Sequence, residues 1–213
     1  MTRPLLLGHR GARASRHIPE NTLESFDLCL QQGCDGFEFD VRRSLDGIAV
    51  ICHDPVVRGL EIENNSASAL GLPTLELVLA QFSARAYLDI ELKVAGLEAQ
   101  LTAMLRKHPP QKAYVVSSFL PEALKAVHGL NAGIPLGFLW EEENQIPQAG
   151  VPIAYLIPRH DLVNRELVEQ AHAVGRRVMT WTVNRFEDMR RFAEWKMDAI
   201  ISDNTELLVQ TFR

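Results

Sequence analysis

The chain of 213 residues is 46% hydrophobic and carries a net charge of −5. This length and apolar content suffice to bury one core, so we expect residues 1–213 to form a single domain. The acidic balance gives no electrostatic reason to bind nucleic acid, and no run approaches the roughly 18 apolar residues of a stable membrane span.

Short apolar runs alternate with longer segments of helical period along the chain. The runs are rich in Val, Ile, Leu and aromatic residues, which favours strands. The predicted strands are 4–8, 36–41, 86–92, 113–117, 135–138, 153–157, 177–182 and 199–202, with 47–52 as an extra short strand.

Helical segments fill the intervals between these strands. In the first helix, Asn21 is the predicted N-cap, with Glu24 three residues on, and Gly33 ends the helix. The other predicted helices are 75–82, 97–107, 121–128, 142–149, 165–174, 186–195 and 206–212.

Strand–helix units repeated in this order predict parallel strands joined by helical crossovers. A closed eight-stranded barrel and an open doubly wound sheet both satisfy the pattern. The number of units favours a single TIM (β/α)8 barrel. The segment Gly8-His9-Arg10-Gly11-Ala12 after the first strand is also neither a GxGxxG nor a Walker phosphate loop.

Cysteine usage indicates a reducing compartment. Cys29, Cys34 and Cys52 are odd in number and form no CxxC pair, so we expect buried, reduced thiols. The run Leu5-Leu6-Leu7 is too short for a secretory signal core. A cytoplasmic protein is therefore predicted, and the sequence makes no prediction of its oligomeric state.

Three carboxylates lie at the ends of predicted strands. Glu38 and Asp40 end the second strand and Glu91 ends the third. In a barrel the carboxyl ends of the strands form one mouth, and residues two apart point to the same side. Such carboxylates repel unless a cation lies among them, and oxygen ligands suit Mg²⁺ or Ca²⁺, with Mn²⁺ as a further option, rather than Zn²⁺. The alternative is that they only pair with neighbouring cationic side chains.

Two histidines and two cationic residues accompany these carboxylates. His9 ends the first strand and His53 follows the extra strand, and a pair of imidazoles can accept and donate protons near neutral pH. Arg10 and Lys93 can hold phosphate oxygens. The alternatives are structural histidines and surface salt bridges, and Asp54 is assigned to capping the turn that follows it. The combined set predicts metal-assisted cleavage of a phosphate ester.

Short motifs spread over nearly the whole chain make it resemble the glycerophosphodiester phosphodiesterase family, which is similar in fold to phosphatidylinositol-specific phospholipase C. Their order and spacing are jointly specific. The motifs are His9-Arg10-Gly11, Pro19-Glu20-Asn21-Thr22, Glu38-Phe39-Asp40-Val41, Asp46-Gly47, His53-Asp54, Pro73-Thr74-Leu75-Glu76, Glu91-Leu92-Lys93, Ser118-Phe119, Trp181-Thr182-Val183-Asn184 and Ile201-Ser202-Asp203.

The resemblance implies a TIM barrel that hydrolyses small-molecule glycerophosphodiesters to sn-glycerol 3-phosphate and an alcohol. It also implies a role for each matching residue. Metal ligands would be Glu38, Asp40 and Glu91, the acid–base pair His9 and His53, phosphate contacts Arg10 and Lys93, and pocket-lining residues Phe119 and Trp181. We favour His9 as base and His53 as leaving-group acid, and we assign Asn184 and Asp203 to ordering loops.

The chain departs from the family pattern after His53-Asp54. The family carries an inserted subdomain there, whereas here only Val56-Val57-Arg58-Gly59 and a short polar passage over 61–68 precede Pro73. We therefore expect a much reduced insertion, a small lid and an open mouth. The alternative function is that of a lysophospholipase D-like or other lipid-headgroup phosphodiesterase. A third hypothesis, a non-catalytic phosphate-binding barrel, requires a broken catalytic set.

Overall fold

The structure is a computed structural model that describes residues 3–143 and 151–213. Its strands, in chain order, are β1 (Leu5–His9), β2 (Gly36–Arg43), β3 (Ala49–Ile51), β4 (Val56–Val57), β5 (Leu60–Glu61), β6 (Tyr87–Leu92), β7 (Tyr114–Ser118), β8 (Leu136–Trp140), β9 (Ile153–Pro158), β10 (Arg177–Thr180) and β11 (Ala199–Ser202). Eight of them form one parallel sheet in the order β1-β2-β6-β7-β8-β9-β10-β11, and β11 pairs with β1. The sheet is therefore closed, which confirms the TIM barrel and excludes the open sheet.

Helices surround the barrel between the strands. They are α1 (Leu23–Gln32), α2 (Ala67–Leu70), α3 (Leu75–Phe82), α4 (Glu98–Lys107), α5 (Pro121–Leu130), α6 (Arg165–Ala173), α7 (Phe186–Glu194) and α8 (Thr205–Thr211). The helix predicted over 142–149 falls largely on residues 144–150, which lie outside the described residues.

The start of α1 differs from the prediction by one residue. Thr22, not Asn21, is the N-cap, because its side chain accepts a hydrogen bond from the backbone N–H of Ser25. Asn21 instead has a left-handed backbone (φ 58°) and directs its side chain to the barrel mouth. Gly33 ends the helix with φ 108°, as predicted, because this conformation costs little without a Cβ.

The alternation of side chains in β2 separates the two cores of the molecule. Phe37 and Phe39 point outwards to the helices, where Phe37 stacks on Phe26 of α1 with ring centroids 4.2 Å apart. Glu38 and Asp40 have the opposite parity and point into the barrel. Most of the apolar core therefore lies between the barrel and its helices, while the inner layers are smaller. The buried members of the inner cluster are Leu7, Tyr87, Val115, Leu139, Tyr155, Ile157, Met179, Ala199 and Ile201.

The extra strand β3 is present and runs antiparallel to β2, with Val41 opposite Ile51. After it come the β4–β5 hairpin, one turn of 3-10 helix at Ile62–Asn64, and α2. The insertion is as short as predicted. It is not wholly polar, however, because Ile62 and Leu70 are buried against Val50 in a small separate cluster.

In the part of the chain that the structure describes, no helix combines the length and the apolar character needed to cross a membrane. The three cysteines are free thiols. Cys29 and Cys34 are buried as predicted, whereas Cys52 is only half-buried.

Candidate active site

The three predicted metal ligands come together at the carboxyl end of the barrel. The register of β2 and β6 places Asp40 opposite Glu91, and Glu38 lies two residues before Asp40 on the same face. One oxygen of each carboxylate lies within 4.8 Å of the others, and all three residues are buried. The parallel register and the two-residue period thus bring distant carboxylates to one place.

These carboxylates are electrostatically unsatisfied by the described residues alone. Glu38 Oε1 and Asp40 Oδ1 are buried and accept no hydrogen bond from any of them. Burial, together with the charge of Asp40, raises the pKa of Glu91 to about 7 and moves the pKa of Glu38 well above its usual range. Buried oxygens that lack donors and resist ionisation fit a hard divalent cation, which would supply the missing positive charge.

Two cationic side chains offset part of this negative charge. Lys93 Nζ lies 2.8 Å from Glu91 Oε1 and 3.6 Å from Asp40 Oδ1. Burial alone would lower the pKa of Lys93, but these two carboxylates outweigh it and raise that pKa. The Arg10 guanidinium lies 3.3 Å from Asp40 Oδ2 and 2.8 Å from Glu20 Oε1. Both predicted phosphate-binding residues therefore lie beside the carboxylate cluster.

His9 is held in place by a residue from the far end of the chain. Its Nδ1 lies 2.7 Å from Asp203 Oδ1, and its Nε2 lies 3.9 Å from Glu38 Oε2. Asp203 also accepts hydrogen bonds from Asn184 and Arg13. Burial alone would raise the pKa of Asp203, but these partners hold it well below its usual range. The carboxylate is therefore ionised and fixes the orientation of the His9 ring.

His53 reaches the site because β3 returns the chain alongside β2. The backbone N–H of Cys52 donates to the Asp40 carbonyl, and Arg42 Nε donates to the carbonyl of His53 at 2.6 Å. Burial lowers the pKa of the His53 ring. Asp54, predicted to cap the next turn, instead places Oδ1 2.7 Å from His53 Nδ1.

A pocket of about 330 Å³ opens beside these groups. Phe119 and Trp181 line it and meet edge to face, with ring centroids 5.6 Å apart. Lys93 Nζ lies 5.6 Å from the centroid of the Phe119 ring. The remaining lining residues are His9, Arg10, Glu38, His53, Glu91, Leu139, Glu141 and Ile201. The structure thus brings all nine predicted site residues together. Eight of them line the pocket, and Asp40 belongs to the carboxylate cluster with Glu38 and Glu91.

The sequence profile of the glycerophosphoryl diester phosphodiesterase family matches residues 9–70 and 82–207. The chain belongs to this family. The glycerophosphodiester phosphodiesterase of Caldanaerobacter subterraneus subsp. tengcongensis is 28% identical over an alignment of 239 residues that covers 98% of each chain.

Solved structures agree with this assignment over nearly the whole chain. A phosphodiesterase of Oleispira antarctica, in complex with the product sn-glycerol-3-phosphate, superposes with a TM-score of 0.86 at 27% identity, covering 98% of this chain and 96% of that one. The glycerophosphodiester phosphodiesterase of Thermotoga maritima gives a TM-score of 0.83 at 26% identity, covering 99% of both chains.

Several polar residues of this member of the glycerophosphoryl diester phosphodiesterase family were not predicted as part of the site, among them Glu141, which lines the pocket. Glu20 pairs with Arg10, and Asn21 Nδ2 donates to Asp40 Oδ2 at 2.8 Å. Asp89 lies fully buried below Glu91, with Oδ1 accepting from Ser117 Oγ at 2.6 Å. The sequence carried a signal for Glu20, Asn21 and Asp89. The first two belong to one family motif, and Asp89 has the same strand parity as Glu91.

Proposed function

We propose that this chain hydrolyses glycerophosphodiesters to sn-glycerol 3-phosphate and an alcohol, using a divalent cation and two histidines. Family membership supports the reaction, and the product complex of the Oleispira antarctica relative supports the product. The cluster of Glu38, Asp40 and Glu91 is the observation that supports a metal-dependent reaction, because three buried carboxylates this close repel one another without a cation.

Glu38, Asp40 and Glu91 would hold the cation, and their oxygen-only set favours Mg²⁺ or Ca²⁺, with Mn²⁺ also compatible. When bound, the cation would supply positive charge to the phosphate oxygens and to the attacking oxygen. Lys93 and Arg10 bind the phosphate from the pocket wall and stabilise the negative charge that grows on it.

The two histidines move the protons in this proposal. His9 takes the proton of the nucleophile, either the glycerol 2-hydroxyl or water, at Nε2, because its Nδ1 contacts Asp203. If the 2-hydroxyl attacks, the first product is a cyclic phosphate, and a water molecule must then open it to give glycerol 3-phosphate. His53 donates from Nε2 to the oxygen of the leaving alcohol, because its Nδ1 contacts Asp54. Because burial lowers the pKa of His53, less of this ring is in the proton-donating form at neutral pH than for an ordinary histidine, and that form increases as the pH falls.

A lysophospholipid is a second candidate substrate, because apolar side chains are exposed on loops that follow the barrel strands. Val56 is 45% exposed and Leu60 37% exposed on the β4–β5 hairpin, and Leu120, next to Phe119, is 39% exposed. The hypothesis of a non-catalytic barrel requires a broken set of site residues. The complete set around one pocket supports an enzyme instead.

The test is release of glycerol 3-phosphate from a panel that includes glycerophosphocholine and lysophosphatidylcholine. His9→Ala and His53→Ala are each expected to lower turnover at least about 10²-fold, the size of effect that a positioned proton-transfer group supplies. Excess EDTA is expected to abolish turnover, and Mg²⁺, Ca²⁺ or Mn²⁺ to restore it.

His172→Ala is the matched control, because His172 pairs with Asp198, which precedes β11 at the opposite end of the barrel. This variant should retain the wild-type rate. Wild-type activity in both His9→Ala and His53→Ala would contradict the acid–base roles, and full activity in excess EDTA would contradict the cation.

A further inference from the structure

Arg42 is a cationic residue near the site to which the proposed reaction gives no role. It lies on β2 two residues beyond Asp40 and therefore has the same strand parity as the carboxylates. In the antiparallel register with β3 it lies opposite Val50. Its side chain is half-buried and does not line the active-site pocket. Arg42 is thus close to the proposed machinery but outside the pocket that would hold the substrate.

The side chain of Arg42 binds the segment that carries His53. Its Nε donates to the carbonyl oxygen of His53 at 2.6 Å, a short hydrogen bond from a charged donor. The hydrogen bond from His53 lowers the pKa of Asp54, and the charge of Arg42 contributes to this lowering. Arg42 therefore holds the backbone of His53 and also interacts with the carboxylate that contacts the ring.

His53 lies in irregular chain between β3 and β4, where no ladder fixes it. Just before it, the backbone N–H of Cys52 donates to the carbonyl of Asp40. At His53 itself the carbonyl is held by the side chain of Arg42. A proton donor works only within hydrogen-bond reach of the oxygen that it protonates, and a displacement of about 1 Å can cost about 10²-fold in rate. The position of this short segment therefore matters for proton transfer.

From these contacts we propose that Arg42 is a positioning residue for the reaction, which holds the segment of His53 so that its ring reaches the oxygen of the leaving alcohol. The proposal rests on the proposed function. Arg42 acts through His53 and not on the substrate, so its removal lowers kcat and leaves KM nearly unchanged. Its effect is confined to substrates whose leaving alcohol needs a proton.

A cavity beside Arg42 makes this role testable by chemical rescue. The cavity has a volume of about 290 Å³ and lies between the β4–β5 hairpin and the loop after β6. Removing the side chain in Arg42→Ala extends the cavity towards the carbonyl of His53. Free guanidinium has the donor geometry of the arginine head group, so it can enter there and replace the lost hydrogen bond. Arg43 gives the matched control, because it is exposed and lines the same cavity, whereas the bond to His53 comes from Arg42.

The experiment measures kcat and KM on two diesters of glycerol 3-phosphate that differ in the leaving alcohol. Glycerophosphocholine releases an alkyl alcohol that needs a proton, whereas the p-nitrophenyl diester releases a phenolate that does not. We expect Arg42→Ala to lower kcat on glycerophosphocholine about 10²-fold and to change it little on the nitrophenyl diester. Arg43→Ala should match the wild type on both.

Guanidine hydrochloride, at concentrations too low to change the melting temperature, should restore part of the rate of Arg42→Ala on glycerophosphocholine and leave Arg43→Ala unchanged. Equal losses on the two diesters, or no recovery with guanidinium, would overturn the positioning role and leave Arg42 as a purely structural residue. If Arg42→Ala does not fold, Arg42→Lys answers the same question, because it keeps the charge but loses the planar fork. Its loss should be smaller and again confined to glycerophosphocholine, and an equal loss on both diesters has the same meaning.

Failure of the proposed function would appear differently. The wild type would then turn over neither diester, or His53→Ala would lose activity equally on the two. A loss confined to glycerophosphocholine in His53→Ala but absent from Arg42→Ala would instead overturn only the role of Arg42.

Discussion

His9 depends for its orientation on Asp203, which lies 194 residues away in the chain. Asp203 is ionised, since its partners hold its pKa well below the usual range against the effect of burial. An ionised carboxylate at Nδ1 leaves Nε2 as the nitrogen that faces Glu38. At the scale of single residues, Asp203 is therefore a positioning residue for the proposed base.

Asp203→Asn is expected to lower kcat by about 10²-fold with little change in KM, because the ring loses the charge that fixes its orientation and protonation. Steady-state kinetics across a range of pH measures this, and the pH profile should shift with the substitution. If Asp203 had only a structural role, the substitution would lower the melting temperature, and the pH profile of kcat for the protein that remains folded would be unchanged.

Asp198→Asn is the control for this substitution. Asp198 Oδ2 lies 2.8 Å from His172 Nε2, so the variant also removes charge from an Asp–His pair, but away from the pocket. Its kcat should equal that of the wild type. A comparable loss in both variants would contradict the positioning role of Asp203.

At the scale of secondary-structure elements, β2 supports the site because one of its faces carries the carboxylates and the other carries aromatic side chains. Glu38 and Asp40 face the barrel mouth, while Phe37 and Phe39 pack outwards in an aromatic cluster with Phe26 of α1 and Phe82 of α3. The cluster fixes the strand against two helices. The position of the carboxylates therefore rests on apolar packing that never touches them.

Phe26→Ala is expected to lower the free energy of unfolding by about 3–5 kcal/mol, because it removes a fully buried ring and leaves a cavity against Phe37. Urea unfolding followed by circular dichroism measures the change. Phe186→Ala is the control, because Phe186 is 48% exposed and its truncation should cost far less. Equal costs in the two variants would show that the cluster does not hold the fold together.

At the scale of the whole molecule, closure of the barrel concentrates negative charge at one end of its interior. Burial raises the pKa of both Glu91 and Asp89 to about 7, and Glu38 is also raised. In the unfolded chain these carboxyls ionise at their ordinary values, near pH 4. The folded protein holds their protons to higher pH, so their contribution to stability is complete below pH 4 and is lost as the pH rises to about 7.

Because of these groups, the metal-free protein is expected to melt at lower temperature as the pH rises from about 4 to about 7. Because a cation binds only the ionised carboxylates, the rise in melting temperature on adding Mg²⁺ should grow over the same window. Thermal unfolding in EDTA and in excess Mg²⁺ at several pH values checks this. A rise in melting temperature that is the same at every pH would contradict it.

Glu91→Gln should reduce the pH dependence and the effect of Mg²⁺ together, since it removes one of the raised carboxyls from the cluster. Glu63→Gln is its control, because Glu63 is exposed on the short insertion. That substitution should change neither.

Local pattern was sufficient to predict much of this protein. Strand–helix alternation, the extra strand, the reduced insertion and the three carboxylates follow from side-chain period and from residues at strand ends, which are properties of neighbouring residues. Local pattern failed at Asn21, because Asn has the higher N-cap preference of the two neighbouring residues, although Thr22 is the residue that caps the helix. Thr22 takes the cap, while Asp40, from another strand, binds Asn21.

The sequence by itself determined the element order, the family and which polar residues lie at the strand ends, because short-range chemistry encodes them. Only the tertiary structure decided that the sheet closes, that Asp203 meets His9, and that Glu141 joins Phe119 and Trp181 at one pocket. These contacts depend on which strands pair and in which register. That choice is made by the packing of the whole barrel, and no segment of the chain carries it alone.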